Sequence, residues 1–524
     1  MSRAMQRIVG IVLAIVALGV PSTLATQELG KITFPTSGKA DAQPAFIRGV
    51  LLLHSFQYEE AAAAFKTAQQ LDRDFAMAYW GEALTHTHPV WNEQDLVMAR
   101  AALAHLASTR TDRLQKAPTA RERMYLAAVE QLYGDGSKAR RDTLYADAVA
   151  DLVRAYPDDD EAKVLYAVAL LGLNQGVRDV PTYMRAGAIA QEVFRRNQDH
   201  PGAAHFVIHA FDDPIHAPLG LQAARRYSVI APGAPHAQHM TTHIFLALGM
   251  WDDVARQNEI ASGGDHTHWT PGHATHWLTY AYLQQGRYRD AQQLLSELSL
   301  HAGPVPTASH RGQLANFRAR FVLATEQWDG AEARSLSADH DVPGEDGYRY
   351  AAFADGFAAA RRGDHDLAQR IATSFGATVA SLGRSVRVGD PGPKVVPVIM
   401  GLELQAELLR QKGARAGAIA LLRRAAALED AMPVEFGPSV VPFPTHEMLG
   451  ALLLATGNAR AAMKEYQRAL EVGPGRAAAL RGLVEAAQAT GEEEIAKRAY
   501  AQLAANWHAA DTALPPISEL RARR

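Results

Sequence analysis

Residues 444–475 read PTHEMLGALLLATGNARAAMKEYQRALEVGPG. Gly450, Ala462, Tyr466 and Ala469 alternate small and aromatic residues, Gly457 marks a turn, and Pro474 closes the segment. Two helices joined by a short turn satisfy this spacing, because small residues let a helix pair approach closely around a ring. Residues 44–75, PAFIRGVLLLHSFQYEEAAAAFKTAQQLDRDF, repeat the design. Phe46, Val50 and Leu53 recur at helical spacing, as do Ala61, Ala64, Phe65 and Ala68, with a polar turn at Gln57.

Working outward, the register returns along the chain. Gly249, Trp251 and Val254 carry it in 243–261, and Gly286, Tyr288 and Ala291 in 273–300. Pro157 and Pro232 close two further copies, and weaker ones fill 310–340, 347–375, 397–430 and 478–508. The period is about 34 residues, which predicts an all-α solenoid of helix-turn-helix units. Its bounds are 44–380 and 397–508, with a 26–43 linker before and a 509–524 tail after. Two segments interrupt it. SLGRSVRVGDPGPKVV (381–396) reads as a Gly/Pro loop, and AMPVEFGPSVVPFPT (431–445) as a loop packed either inside or outside the superhelix.

Composition narrows the function classes. The 524 residues are 48% hydrophobic and 21% charged, with a formal net charge of −3. That balance offers no basic face for nucleic acid. Without cysteine there are no disulfides, thiolate ligands or thiol nucleophiles. Residues 1–25 carry Arg3 and Arg7, then a short apolar run and the small residues Thr23 and Ala25, which predicts a signal peptide and an exported, periplasmic or secreted body. No other segment is apolar enough to cross a membrane.

More than half of the chain's 21 histidines fall in residues 200–276. In the repeat register His205 and His239 take the fifth position of their units, His209 and His243 the ninth, and His236 the second. After a longer loop, His273 takes the second, His276 the fifth and Tyr280 the ninth. Positions 2, 5 and 9 share one helix face. Helices about 8–10 Å apart bring such imidazoles within reach of one metal. His205, His209, His239, His243 and His276 are therefore the candidate ligands, with Asp212, Asp213 and Asp265 as ligands or orienting groups. All-nitrogen ligation favours zinc, then copper or nickel. A polar or anion site without metal, and histidines that serve structure only, are the alternatives. His54 and His88, with Trp80 and Trp91, form a second candidate patch, in which the tryptophans also read as packing. Glu447 is the candidate inward carboxylate of the C-terminal half.

The repeat pattern resembles the tetratricopeptide family, in spite of Arg73 standing where a proline is usual. The resemblance implies a right-handed superhelix whose concave groove is lined by positions 2, 5 and 9. HPGAAHFVIHA, HAQHMTTHIFLALGMWDDVARQNEIA and HATHWLTYAYLQQGRY resemble a His-rich group of bacterial members, and more distantly the tetratricopeptide repeat protein 38 family. The repeat resemblance implies a scaffold that takes a peptide or protein in its groove, exported on the reading of residues 1–25. A metal-dependent hydrolase or redox enzyme is the alternative reading of the histidines. No HExxH, GxSxG or phosphate-loop motif accompanies them.

Overall fold

The computed structural model describes residues 28–174, 178–263, 272–301, 307–339, 346–382, 385–387, 390, 392–433, 436–516 and 519. The proposed leader 1–25 and Asp265 lie outside them. Among the described residues the chain is helical throughout, apart from a two-stranded ribbon, Thr87–His88 against Glu93–Gln94. Successive helices pack side by side into an all-α solenoid of helix-turn-helix units. Its first pair is Gln43–His54 with Tyr58–Leu71, and its last Ala477–Thr490 with Glu493–Asn506.

The two helices of a pair have different jobs. Every residue of the Pro201–Phe211 helix is buried, whereas Ala459–Val472 buries only Ala462, Tyr466 and Ala469. An all-round buried helix is an inner one; a single buried stripe marks an outer one. The small-aromatic-small signal has a direct cause. Tyr466 is wedged between Gly450 and Gly482, where an added Cβ would stand 3.0 and 2.1 Å from its ring. Phe65 sits in the same way between Gly49 and Gly81. Close helix approach at these rings is why the pattern could be read from sequence at all.

The superhelix folds back on its own middle. At the N-terminal end, the Lys31 amide donates to Asp199 O at 2.9 Å, and the His54 carbonyl is bonded to His205. At the C-terminal end, the Trp251 indole donates to Gly475 O at 2.8 Å and the Trp507 indole to Gln284 O at 3.1 Å. Gly249 turns at φ 69°, and a Cβ there would lie 2.5 Å from Pro474 O, so a glycine serves both the turn and the contact. In the proline-rich segment the described residues 436–444 run inside: Phe436 stacks on His243 at 5.2 Å, and Phe443 meets Phe357 at 5.8 Å.

Two sequence expectations change. The 381–396 window is shorter as a loop, because one helix runs to Leu382 and the next, Gly392–Gln411, already includes its end. Pro393 sits at that helix's start, where its missing N–H costs nothing, and only Pro397 lies further in. The Thr87–Gln94 ribbon was not anticipated. No helix of the described residues is long and apolar enough to cross a membrane.

Candidate metal centre

Three inner helices bring the histidines together. Pro201–Phe211 carries His205 and His209, Pro235–Ala247 carries His236, His239 and His243, and His273–Gln284 begins with His273. His205, His209 and His236 each offer a ring nitrogen within 4.8 Å of the others, and so do His239, His243 and His273. Asp212, just past the end of the first of these helices, joins His209 and His243 in a third group. His205, His209, His239 and His243 are buried, His236 is half-buried and His273 is exposed. The inner face is partly covered here: Phe56 packs on His205 and His236, and Phe436 on His243.

The protons of the rings can be placed. The His205 Nδ1 lies 2.6 Å from the His54 carbonyl, so it carries hydrogen and leaves an Nε2 lone pair. The Asn258 side-chain nitrogen donates to Val254 O at 3.0 Å, which fixes its oxygen toward His239 Nδ1 at 2.7 Å. His239 therefore also donates from Nδ1. His243 Nδ1 donates to Asp212 Oδ2 at 3.0 Å, and Arg178 bonds the other carboxylate oxygen. Burial raises the Asp212 carboxyl while Arg178 opposes the shift.

The result is a pair of opposed acceptors. His239 Nε2 and His243 Nε2 are 3.3 Å apart, both with lone pairs and no proton to share. His205 Nε2 and His236 Nε2 are also 3.3 Å apart. Desolvation holds His205, His209, His239 and His243 well below the ordinary imidazole range, and neighbouring imidazoles add to it. His236 and His273 shift the same way through desolvation first. A shared proton is therefore disfavoured, and the neutral imidazole that remains is the form that ligates a metal. Two nitrogens at 2.0–2.1 Å from one tetrahedral ion stand about 3.3–3.4 Å apart, which matches both pairs. The Nδ1 acceptors supply the outer shell that orients metal-binding imidazoles. His209 Nε2 is buried and unpartnered among the described residues, a third donor for the first set. The clustered residues can thus hold metal ions, and their donor set suits the zinc, copper or nickel named from sequence.

The remaining candidates fall elsewhere. His276 is in none of the described clusters; its ring stacks on Phe317 at 5.1 Å, and burial, then Arg320, lowers its pKa. It sits at the register position that the sequence marked, but in the next inner helix its ring turns to Phe317 instead. Tyr280 and Glu447 meet at Arg476: the guanidinium grips both Glu447 oxygens, at 2.6 and 2.9 Å, and also donates to the Tyr280 hydroxyl. Trp80 is a core residue, edge-on to Phe34 and Tyr125. His88 stacks on Tyr58 at 4.0 Å near Trp91.

His54 does not pair with His88. It joins His200 around Glu161 in a fully buried group that sequence reading missed. His200 Nδ1 accepts the Ala203 amide at 3.2 Å, capping its helix, so its Nε2 carries the proton toward Glu161. Burial alone would raise the Glu161 carboxyl, but the two imidazoles hold it below the usual carboxylate range. Asn258, Arg178 and Glu161 had no motif to announce them.

A cavity of about 510 Å³ opens beside the centre, lined in part by Asp212, Leu246, Trp251, Tyr280, Met432 and Val440.

No protein-family model and no curated protein matches the chain. Among solved structures, the human IFIT1 dimer with PPP-AAAA is 13% identical, covering 89% of this chain and 95% of that one, with a TM-score of 0.36. The human IFIT1 dimer with m7Gppp-AAAA is 14% identical, covering 90% and 91%, with a TM-score of 0.38. Yeast Tom70 is 12% identical, covering 92% and 94%, with a TM-score of 0.27. Superposition at these scores is poor, and the fold assignment rests on the helices themselves.

Proposed function

We propose that this chain is a metal-binding solenoid that holds two ions, one on His205, His209 and His236 and one on His239, His243 and His273. The observation that carries the reading is the His239–His243 pair, two unprotonated Nε2 atoms 3.3 Å apart with both Nδ1 atoms committed as donors. A cation between them removes the lone-pair conflict that these proton positions leave. Zinc fits a three-imidazole set first, and copper or nickel next. The protein is tested free of any affinity tag, stripped by chelator and titrated with each ion in a calorimeter. Two equivalents are expected for the intact chain, and one for His243→Ala or His205→Ala. Absence of binding at micromolar protein returns the histidines to a structural role.

A second reading is favoured by the neighbouring cavity. Three protein ligands leave a fourth tetrahedral position for water or substrate, and the cavity beside Asp212 has the volume of a small-molecule site. The chain would then be a metal-dependent enzyme, with bound metal acidifying a water molecule and Asp212 and its neighbours holding the ligands in place. Screening hydrolytic and oxidative turnover of the zinc- and copper-loaded protein against the stripped protein separates enzyme from metal carrier. In the scaffold reading a peptide or protein partner enters the same cavity. We also propose that the chain is exported, on the strength of residues 1–25. The intact mass of protein recovered outside the cytoplasm tests this, with cleavage after Ala25 expected.

A further inference from the structure

Beyond Tyr280 lies a separate cavity of about 70 Å³, lined in part by Arg320, Arg476 and Arg481. Arg320 is only 6% exposed. Its Nε donates to Asn316 Oδ1 at 3.0 Å, and its guanidinium faces the Tyr350 ring at 5.7 Å. Among the described residues no carboxylate pairs with it; the groups it senses are Tyr350, Tyr280 and Arg476. A buried cation without a counter-charge is costly, and desolvation lowers its pKa accordingly. Arg481 is half-buried and likewise forms no ion pair among the described residues, sensing Glu485 and Tyr466 only at longer range.

The rest of the lining points the same way. Arg476 is neutralised by Glu447, and Glu326 also lines the cavity, which leaves three guanidiniums against two carboxylates. The Tyr280 oxygen accepts from Arg476, so its own proton is free to be donated. The 14-residue helix Ala477–Thr490 starts at the wall; its Ala477 amide donates to Gln284 Oε1 at 3.1 Å, and Ala478 of its first turn lines the space. Beyond that bond, the next first-turn amides and the positive end of the helix dipole remain for an anion. The volume holds roughly five water-sized positions, about the heavy-atom count of a phosphate or sulfate ion.

We propose that this cavity binds a small oxyanion of the phosphate class, held by Arg320, Arg481, the Tyr280 hydroxyl and the Ala477–Thr490 helix N-terminus. The bound anion supplies the counter-charge that Arg320 lacks. The site stands apart from the metal centre, and metal-free protein is expected to bind as well as loaded protein.

The test uses the full chain at fixed ionic strength, with thermal melting and calorimetry against inorganic phosphate, sulfate and chloride. Phosphate and sulfate should raise the melting temperature saturably, and chloride should not. O-phosphoserine, run beside inorganic phosphate, distinguishes a free ion from a phosphate carried on a larger molecule. Arg481→Gln should weaken binding about tenfold or more, since it removes a charge-assisted donor. Arg320→Gln should abolish binding, yet melt no lower than the intact chain without phosphate, because it removes an unpaired buried charge. A merely structural Arg320 gives the reverse: a lower melting temperature in every buffer and an undiminished phosphate response. If Arg320→Gln does not fold, Arg481→Gln and Tyr280→Phe carry the test. The proposal fails if phosphate produces no saturable response, or if the response survives intact in both of these variants, the mark of an adventitious ion only.

Discussion

Asn258→Ala isolates the second imidazole set without touching a metal ligand. Asn258 is fully buried, accepts the His239 Nδ1 proton at 2.7 Å and donates to Val254 O at 3.0 Å. Truncation leaves the His239 Nδ1–H without a partner, whereas the Val254 carbonyl keeps its helical bond from the amide of residue 258. Unsatisfied buried groups cost about 1–3 kcal/mol each, so the urea midpoint should fall. The larger effect is on metal. With no oxygen to fix Nδ1–H, His239 is free to place its proton on Nε2, where a ligand lone pair is needed. Losing such an outer-shell partner lowers affinity about 10–100-fold. His205 is fixed independently by the His54 carbonyl, so the first set keeps its affinity. Calorimetry should therefore resolve one unchanged and one weakened equivalent. Asn258→Asp keeps an acceptor at the same place, although it gives up the bond to Val254 O, and should hold most of the affinity. Two equivalents of unchanged affinity in Asn258→Ala would refute the tautomer reasoning. Equal weakening of both would show that the two sets are not separate.

Acidification of the stripped protein should destabilise it from about pH 6.5 downward. His205, His209, His239 and His243 have folded pKa values well below the ordinary 6.5, so the unfolded chain takes up protons first as pH falls. Their contribution is complete above the unfolded pKa and is lost at about 1.4 kcal/mol per pH unit for each imidazole, read as urea midpoints between pH 7.5 and 5.5. His276→Ala should leave both metal equivalents in place, because its ring packs on Phe317 and belongs to no described cluster; metal content after dialysis checks this. Gly202→Ala should lower the melting temperature, since the new Cβ would stand 2.5 Å from His54 Nδ1 and 2.9 Å from Val164. Overpacking of about 1–3 kcal/mol outweighs the helix propensity gained, about 1 kcal/mol.

The repeat was legible because its packing is local. Tyr466 between Gly450 and Gly482, like Phe65 between Gly49 and Gly81, is set by residues at fixed short separations, so one register repeats along the chain. Histidine positions within each helix were legible for the same reason, and so was the idea that neighbouring helices present them to one another. What the register could not carry is anything set by closure. Trp251 bonding to Gly475, and His205 to the carbonyl of His54, join residues far apart in sequence with no shared motif. An inner face that looked like an open groove is for that reason partly covered.

Closure also changes what the histidines can do. On an open groove, imidazoles keep ordinary pKa values, hydrogen-bond to water and choose their tautomers freely. Here His205, His239 and His243 are buried, and the Nδ1 of each is committed to a fixed oxygen: His54 O, Asn258 Oδ1 and Asp212 Oδ2. The lone pairs left over must then face one another. A solenoid needs no such arrangement for its stability, since apolar side chains of similar volume would fill the same inner positions without unmet polar atoms. Several buried imidazoles with ring nitrogens within reach of one another form a set that can hold a cation. The covering elements are part of that site as much as the ligands are, because they remove the water that would otherwise compete for the same lone pairs.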